Sequence, residues 1–407
     1  MSSRRRSAHP VALVTFVVAG LLFAACTPET APTTIQPATT STSTTSTTKP
    51  APTDHLEIWV DDVRKAVLDP FVAEFADQAG VSVDVVAYPF DEIAAAVLAG
   101  NGPDIFLAAH DRLGSLLAAG AIAPVDLGTL DLDAKAVAAV SADGVTYGVP
   151  YGLESVALYV NVGALGGDVA PETFASLETV CAPFDGCVGV PEGLYHQYGF
   201  LSSSGGYVFG SLPGGAWSVD DIGLAGAVDG AKALANLAAT GVVATGPYSD
   251  VVERFVSGET PFLITGPWQV RPFTDAGVDF AVHPLPTLDG RPLRPFVGVQ
   301  AFFVSADAPP GLAESFVREV LARPEVLTAA AMADNRVPAV VSARSGIDPA
   351  LFGFTASVEG GDLLPGIPEM VAVWNPLDAA LDAIFAGMDP QVALADAEEQ
   401  IRSSRSR

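Results

Sequence analysis

Residues 81–120, "VSVDVVAYPFDEIAAAVLAGNGPDIFLAAHDRLGSLLAAG", decide the fold. "VSVDVVAY" is short and β-branched, which predicts a strand, and "FDEIAAAVLAG" carries apolar residues at helical spacing before a Gly stop. "DIFLAA" is strand-like again, and a His110, Asp111, Arg112 triplet then opens an Ala-rich helical pattern. Upstream, "HLEIWV" (His55–Val60) has strand composition, and "AVLDPFVAEFADQAG" is helical in spacing and stops at Gly80. The order is therefore β-α-β-α-β, which implies a mainly parallel sheet with helices on its faces. In such sheets ligands gather beyond the carboxyl ends of strands, where Asp111 and Arg112 would emerge.

Beyond this core, "GVTYGVPYGLESVALYVN" reads as two extended stretches broken by Gly and Pro. "PETFASLETVC" is a Pro-started helix, and "VDGAKALANLAAT" is a second, amphipathic one. "VVERFVSGETPFLITGPWQVRPF" predicts a helix, a turn and a strand leading into Gly266, Pro267 and Trp268. The closing "MVAVWNPLDAALDAIFAGMDPQVALADAEEQIR" holds two helices, and no internal repeat is visible.

The N-terminus has three arginines, an apolar run from Val11 to Ala25, and small residues before Cys26. That run is shorter than the ~20 residues a membrane span needs and has the form of a signal peptide, which predicts export. Two alanines before Cys26 are similar to a bacterial lipobox, with Phe23 where Leu is usual, so lipidation at Cys26 and simple cleavage both stand. Residues 27–53 are almost entirely Thr, Ser, Pro and Ala, a composition that cannot repay the entropy of folding and that reads as a tether. The formal net charge of −27 argues against nucleic acid and anionic lipid surfaces as partners. Contact with a membrane is expected only through the lipid anchor. The remaining ~350 residues are long enough for two lobes. Cys181 and Cys187 in "CAPFDGC" favour a local disulfide in an exported chain. Two cysteines with no nearby His pair make a poor metal site, and no cofactor is expected.

Seven segments in order carry a resemblance: "LEIWV", "NGPDIFLAAHDRLG", "GVPYGLESVALYVN", "GGYVFG", "FVSGETPFLITGPW", "PLPTLDGRPLRPFVGV" and "LLPGIPEMVAVW". Together they resemble the extracellular solute-binding proteins of sugar ABC importers, most closely the maltose and maltodextrin-binding group, over residues 54–402. The resemblance implies a type II periplasmic-binding-protein-like α/β fold. Its two lobes each carry a mainly parallel sheet flanked by helices, and they close on a sugar about a hinge. The implied lobes are 54–152 plus 299–346 and 153–298 plus 347–402, after a signal peptide (1–25) and a lipidated, tethered segment (26–53). It also implies a monomer at the outer face of the membrane that delivers a carbohydrate to permease subunits.

A sugar needs donors and acceptors for its hydroxyls and flat apolar partners for its C–H faces. The resemblance places Asp111 and Arg112 on hydroxyls, although Asp111 could instead be a helix N-cap. It places Glu154 as a cleft carboxylate just past the hinge. Asp62 and Arg64 correspond to a charged pair at the end of the first strand, in a register that leaves Asp61 open. Trp268 and Trp374 match two stacking tryptophans. Tyr195, with Glu192 beside it, resembles a third ring, Tyr198 being the alternative; Tyr151 adjoins the hinge. Ala108 and Asn375 stand where maltose binders commonly carry Trp and Tyr, which implies fewer stacked rings. The rivals are a secreted glycosidase using two of these carboxylates and a non-catalytic surface lipoprotein. No nucleophile or metalloprotease motif supports catalysis, and no catalytic residue is assigned.

Overall fold

The computed structural model describes residues 55–404 except 185, 213–215 and 349–350. The leader, Cys26 and the tether lie outside the described residues. In chain order the main strands are β1 (His55–Val60), β2 (Ser82–Ala87), β3 (Ile105–Ala109), β4 (Ile122–Ala123), β5 (Gly148–Glu154), β6 (Ala157–Asn161), β7 (Val188–Pro191), β8 (Val243–Gly246), β9 (Phe262–Thr265), β10 (Phe280–His283), β11 (Phe296–Ser305), β12 (Val337–Pro338) and β13 (Asp362–Leu363).

They form two sheets. The first runs β12-β5-β11-β3-β1-β2, with β4 and β13 also paired to β11, and the second runs β8-β7-β9-β6-β10. The α/β architecture of two helix-flanked sheets agrees with the resemblance, but the sheets are mixed rather than mainly parallel. Strands joined by helical crossovers (β1, β2, β3; β7, β8, β9) are parallel. Beside them β5 and β11 are antiparallel, as are β6 with β9 and with β10. The reason is connectivity: β5 leads the chain out of the first sheet into β6 of the second, and β11 brings it back. A departing and a returning strand that lie side by side must run in opposite directions.

The first helix begins earlier than its apolar spacing suggests, at Asp62, because Asp61 caps it by accepting the Arg64 backbone N–H at 2.9 Å. It ends at Gly80, whose φ of 67° is left-handed. Leu56, Ile58, Phe106, Phe302 and Phe316 build the core on the first sheet. Leu158, Val188, Phe262 and Ile264 build one core on the second. A further cluster spans the seam, in which Leu153 and Val299 of the first sheet pack with Tyr159, Phe255 and Phe354. Cys181 and Cys187 are joined by a disulfide, with Cα atoms 5.2 Å apart.

The helix after the His-Asp-Arg turn, Leu113–Ala118, lies against residues 366–368: the Gly114 N–H donates to the Gly366 carbonyl at 2.9 Å. A Cβ on Gly114 would fall 2.4 Å from Pro368 Cδ and 2.6 Å from its backbone nitrogen. In an exposed helix Gly→Ala stabilises by about 1 kcal/mol, but here the neighbour is backbone and cannot rotate away. Gly114→Ala is therefore expected to destabilise by ~1–3 kcal/mol, measured as a lower midpoint in urea unfolding.

Candidate functional site

The site grows from the β5–β11 pair. Its register sets Glu154 opposite Gly298 and Gly152 opposite Gln300, and a two-residue period puts all four on one face. Glu154 is 8 % exposed and both of its oxygens are engaged: Gln300 Nε2 donates to Oε1 at 2.9 Å and Arg336 Nε to Oε2 at 2.6 Å. Arg336 also pairs with Asp334, and Asp334 binds Arg64 Nη2 at 2.7 Å. Arg64, only 4 % exposed, reaches Asp61 at 3.0 Å and donates from Nε and Nη2 to the Tyr151 hydroxyl at 2.9 and 2.8 Å. Tyr151 is fully buried; burial pushes its hydroxyl pKa up, and the Arg64 and Arg336 guanidiniums oppose that shift.

The expected first-strand pair therefore splits. Arg64 is locked inside this ionic chain, while Asp62 is exposed in the first helical turn and Asp61 carries the contacts. A charge this deeply buried has to be paired, and here each guanidinium meets two carboxylates.

At the end of β3 the backbone enters a single 3₁₀ turn, His110–Arg112. His110 is buried; it accepts the Val299 N–H at Nδ1 (3.0 Å) and donates from Nε2 to the Leu364 carbonyl (2.8 Å). These bonds fix its tautomer, and burial lowers its pKa against the opposing charge of Asp111. His110 thus supports backbone. Asp111 does not cap the following helix, which lacks a side-chain cap, so the N-cap role is corrected: the turn continues straight into helix and leaves no N-cap geometry at Asp111. Asp111 Oδ1 is buried without a hydrogen bond, near the half-exposed Arg112 at 3.7 Å.

Aromatic rings approach from the second sheet. Trp268 follows β9 and folds back over Gly266, where a Cβ would meet the ring at 2.1 Å, so this position needs glycine. The Trp268 Nε1–H donates to the Tyr248 hydroxyl at 2.6 Å, as does Gln269 Nε2 at 2.7 Å. Tyr195, in the first turn of the helix Leu194–Ser203, lies 5.9 Å from Trp268 and 6.4 Å from Phe296 by ring centroids. Phe296 meets the edge of Trp374 at 6.3 Å. Tyr195, Trp268 and Trp374 are all half-buried. Burial raises the Tyr195 pKa well above its usual value, and Glu154 and Asp111 act in the same direction against Arg336. The charges of Glu154, Asp111 and Arg336 therefore reach Tyr195. Tyr198 is instead core, stacked 3.6 Å from Phe296, and Glu192 is exposed on the turn before the helix.

Five neighbours escaped sequence reasoning: Tyr248, His196, Phe296, Gln300 and Arg336. Each enters through a contact distant in sequence. Only Phe296, inside the quoted "RPFVGV", had a usable signal. Among the described residues no group of three or more His, Cys, Asp or Glu could hold a metal ion, and no helix is long and apolar enough to cross a membrane.

His196 packs against Tyr248 and Trp268, and its Nε2 is buried without a partner. Burial lowers its pKa from 6.5 to about 4. The folded state therefore resists protonation that the unfolded chain accepts, so this contribution is whole above pH 6.5 and is lost as pH falls towards 4. At 1.36 kcal/mol per unit the loss reaches ~3 kcal/mol. His196→Asn should flatten the pH dependence of stability across that window relative to wild type, measured by urea unfolding at stepped pH.

The chain is 28% identical over 383 residues to the galactooligosaccharide-binding protein of Bacillus subtilis (strain 168), covering 86% of this chain and 90% of that one. It is also 28% identical over 435 residues to the maltooligosaccharide ABC transporter solute-binding lipoprotein of Streptococcus pneumoniae (strain ATCC BAA-255 / R6), covering 99% and 98%. Its fold is similar to a crystal structure of cyclo/maltodextrin-binding protein complexed with maltotetraose, at a TM-score of 0.76 and 26% identity, over 86% of this chain and 97% of that one. The family described as bacterial extracellular solute-binding protein matches residues 71–351. With more than half of its length matched, the chain belongs to the bacterial extracellular solute-binding protein family.

Proposed function

We propose that this protein captures a neutral oligosaccharide between its two lobes and hands it, chemically unchanged, to the permease of an ABC importer. The lobes are 54–152 plus 299–346 and 153–298 plus 347–402. The protein works as a monomer, exported by residues 1–25 and held at the outer membrane face by lipid on Cys26 and the tether to residue 53. The ligand-binding residues are Asp111, Arg112, Glu154, Tyr195, Trp268 and Trp374. Arg64 and Tyr151 stand behind them, and Asp62 and Glu192 lie at the periphery.

One observation supports the reading: the half-buried rings Trp268, Tyr195 and Trp374 gather around the buried Phe296, and the charges of Glu154 and Asp111 act on Tyr195. Rings supply faces for C–H groups and carboxylates accept from hydroxyls, the pairing that a saccharide requires. The relatives' names point the same way, and they divide between malto- and galactooligosaccharide.

Maltotriose or a galactooligosaccharide should raise the melting temperature in a concentration-dependent manner, since a ligand bound only to the folded state stabilises it. Trp268→Ala and Trp374→Ala should each weaken calorimetric affinity by roughly tenfold or more. Incubation should release no new reducing ends. No thermal shift with either sugar class, or the appearance of reducing ends, would refute the proposal.

A further inference from the structure

Four residues on one face of β5 and β11 form a two-by-two patch: Gly152 opposite Gln300 and Glu154 opposite Gly298. The two glycines occupy one diagonal and make room for the larger side chains that cross them. A Cβ on Gly298 would come within 3.0 Å of Glu154 Cγ and 3.1 Å of Oε1, and one on Gly152 would come within 3.1 Å of Arg336 Cβ. Glu154 therefore lies flat across Gly298, and Arg336 lies across Gly152. Between them Gln300, 2 % exposed, donates Nε2 to Glu154 Oε1. The amide orientation follows from charge, since the flipped form would set two oxygens 2.9 Å apart. Its own Oε1 is left as a buried acceptor with no protein donor.

From this arrangement we infer that Gln300 and Arg336 are positioning residues, which hold Glu154 in one orientation with its remaining lone pairs left for a hydrogen-bond donor on the ligand. The inference rests on the saccharide reading above and sharpens it: the site selects a ligand that presents a hydroxyl to Glu154. Arg336 is itself paired with Asp334 Oδ2, the same oxygen that Arg64 Nη2 contacts, so the orientation of the cleft carboxylate is referred back to the first helix. A freely rotating carboxylate would have to be ordered when the sugar binds; a carboxylate held from both sides is ordered beforehand.

The test is titration calorimetry of the protein with maltotriose and, in parallel, galactotriose, at about pH 8 and about pH 5. Gln300→Glu sets a second carboxylate against Glu154; the two repel when both are charged at the higher pH and share one proton at the lower, because a neighbouring carboxylate raises the pKa of one of the pair. Affinity should fall at least about tenfold at the higher pH and recover towards wild type at the lower. Residues that merely support the fold would shift the melting temperature without producing that pH-dependent recovery. Arg336→Gln should weaken binding by about tenfold or more, with Arg336→Lys restoring part of it; this second pair decides the matter if Gln300→Glu does not fold. Wild-type affinity in folded Gln300→Glu at both pH values, or in Arg336→Gln, would overturn the positioning role alone. Failure of wild type to bind either sugar would overturn the saccharide reading and this inference together.

Discussion

The antiparallel contact between β5, leaving the first sheet, and β11, returning to it, is the constraint on which the rest depends. It sets the seam core of Leu153, Val299 and Tyr159. It also puts Glu154 over Gly298 and presents the Val299 N–H to His110. His110 ties that strand to residue 364, so the turn carrying Asp111 and Arg112 is held from behind by two hydrogen bonds. A binding protein that closes needs such a rigid reference, because hinge movement is useful only if the groups on each side keep their own geometry.

Electrostatics divides the charged residues into two classes. Asp61, Arg64, Asp334, Arg336 and Glu154 form one continuous chain of three carboxylates and two guanidiniums. Burial requires this pairing, since removing one partner would leave an uncompensated charge in a medium that solvates it poorly. Asp111 and Arg112 stay outside the chain, with Arg112 more than half exposed. Asp111 and Arg112, at the end of β3, are therefore not committed to that chain.

The aromatic side follows a comparable logic. Trp268 is oriented by its hydrogen bond to Tyr248, which Gln269 shares, and by its close approach to Gly266. A ring fixed before contact presents its face without a further loss of rotamer freedom. Trp374 is set instead by its position as the first residue of the helix Trp374–Phe385 and by the edge of Phe296.

Residue order alone determined a good deal. The alternation of β-branched runs and 3.6-spaced helices dictates an α/β fold, because those periods fit only strands and helices packed in layers. Seven segments in order carried a resemblance to sugar-binding proteins, and that resemblance marked Trp268, Tyr195, Trp374 and Glu154. The parallel pairing of β1, β2 and β3 was legible in that alternation, but the antiparallel pairing of β5 with β11 and of β6 with β9 was not, since it depends on where the chain goes between strands rather than on local pattern. Nor was the fate of Arg64: the resemblance made it half of a charged pair at the end of the first strand, and only folding brings Asp334 and Tyr151 to it across long separations. Gln300 and Arg336 were silent for the same reason. Gln300, in a strand, has no evident meaning until register decides which carboxylate lies beside it, and register is a property of two strands together; Arg336, just before β12, meets Glu154 only across 182 residues of sequence.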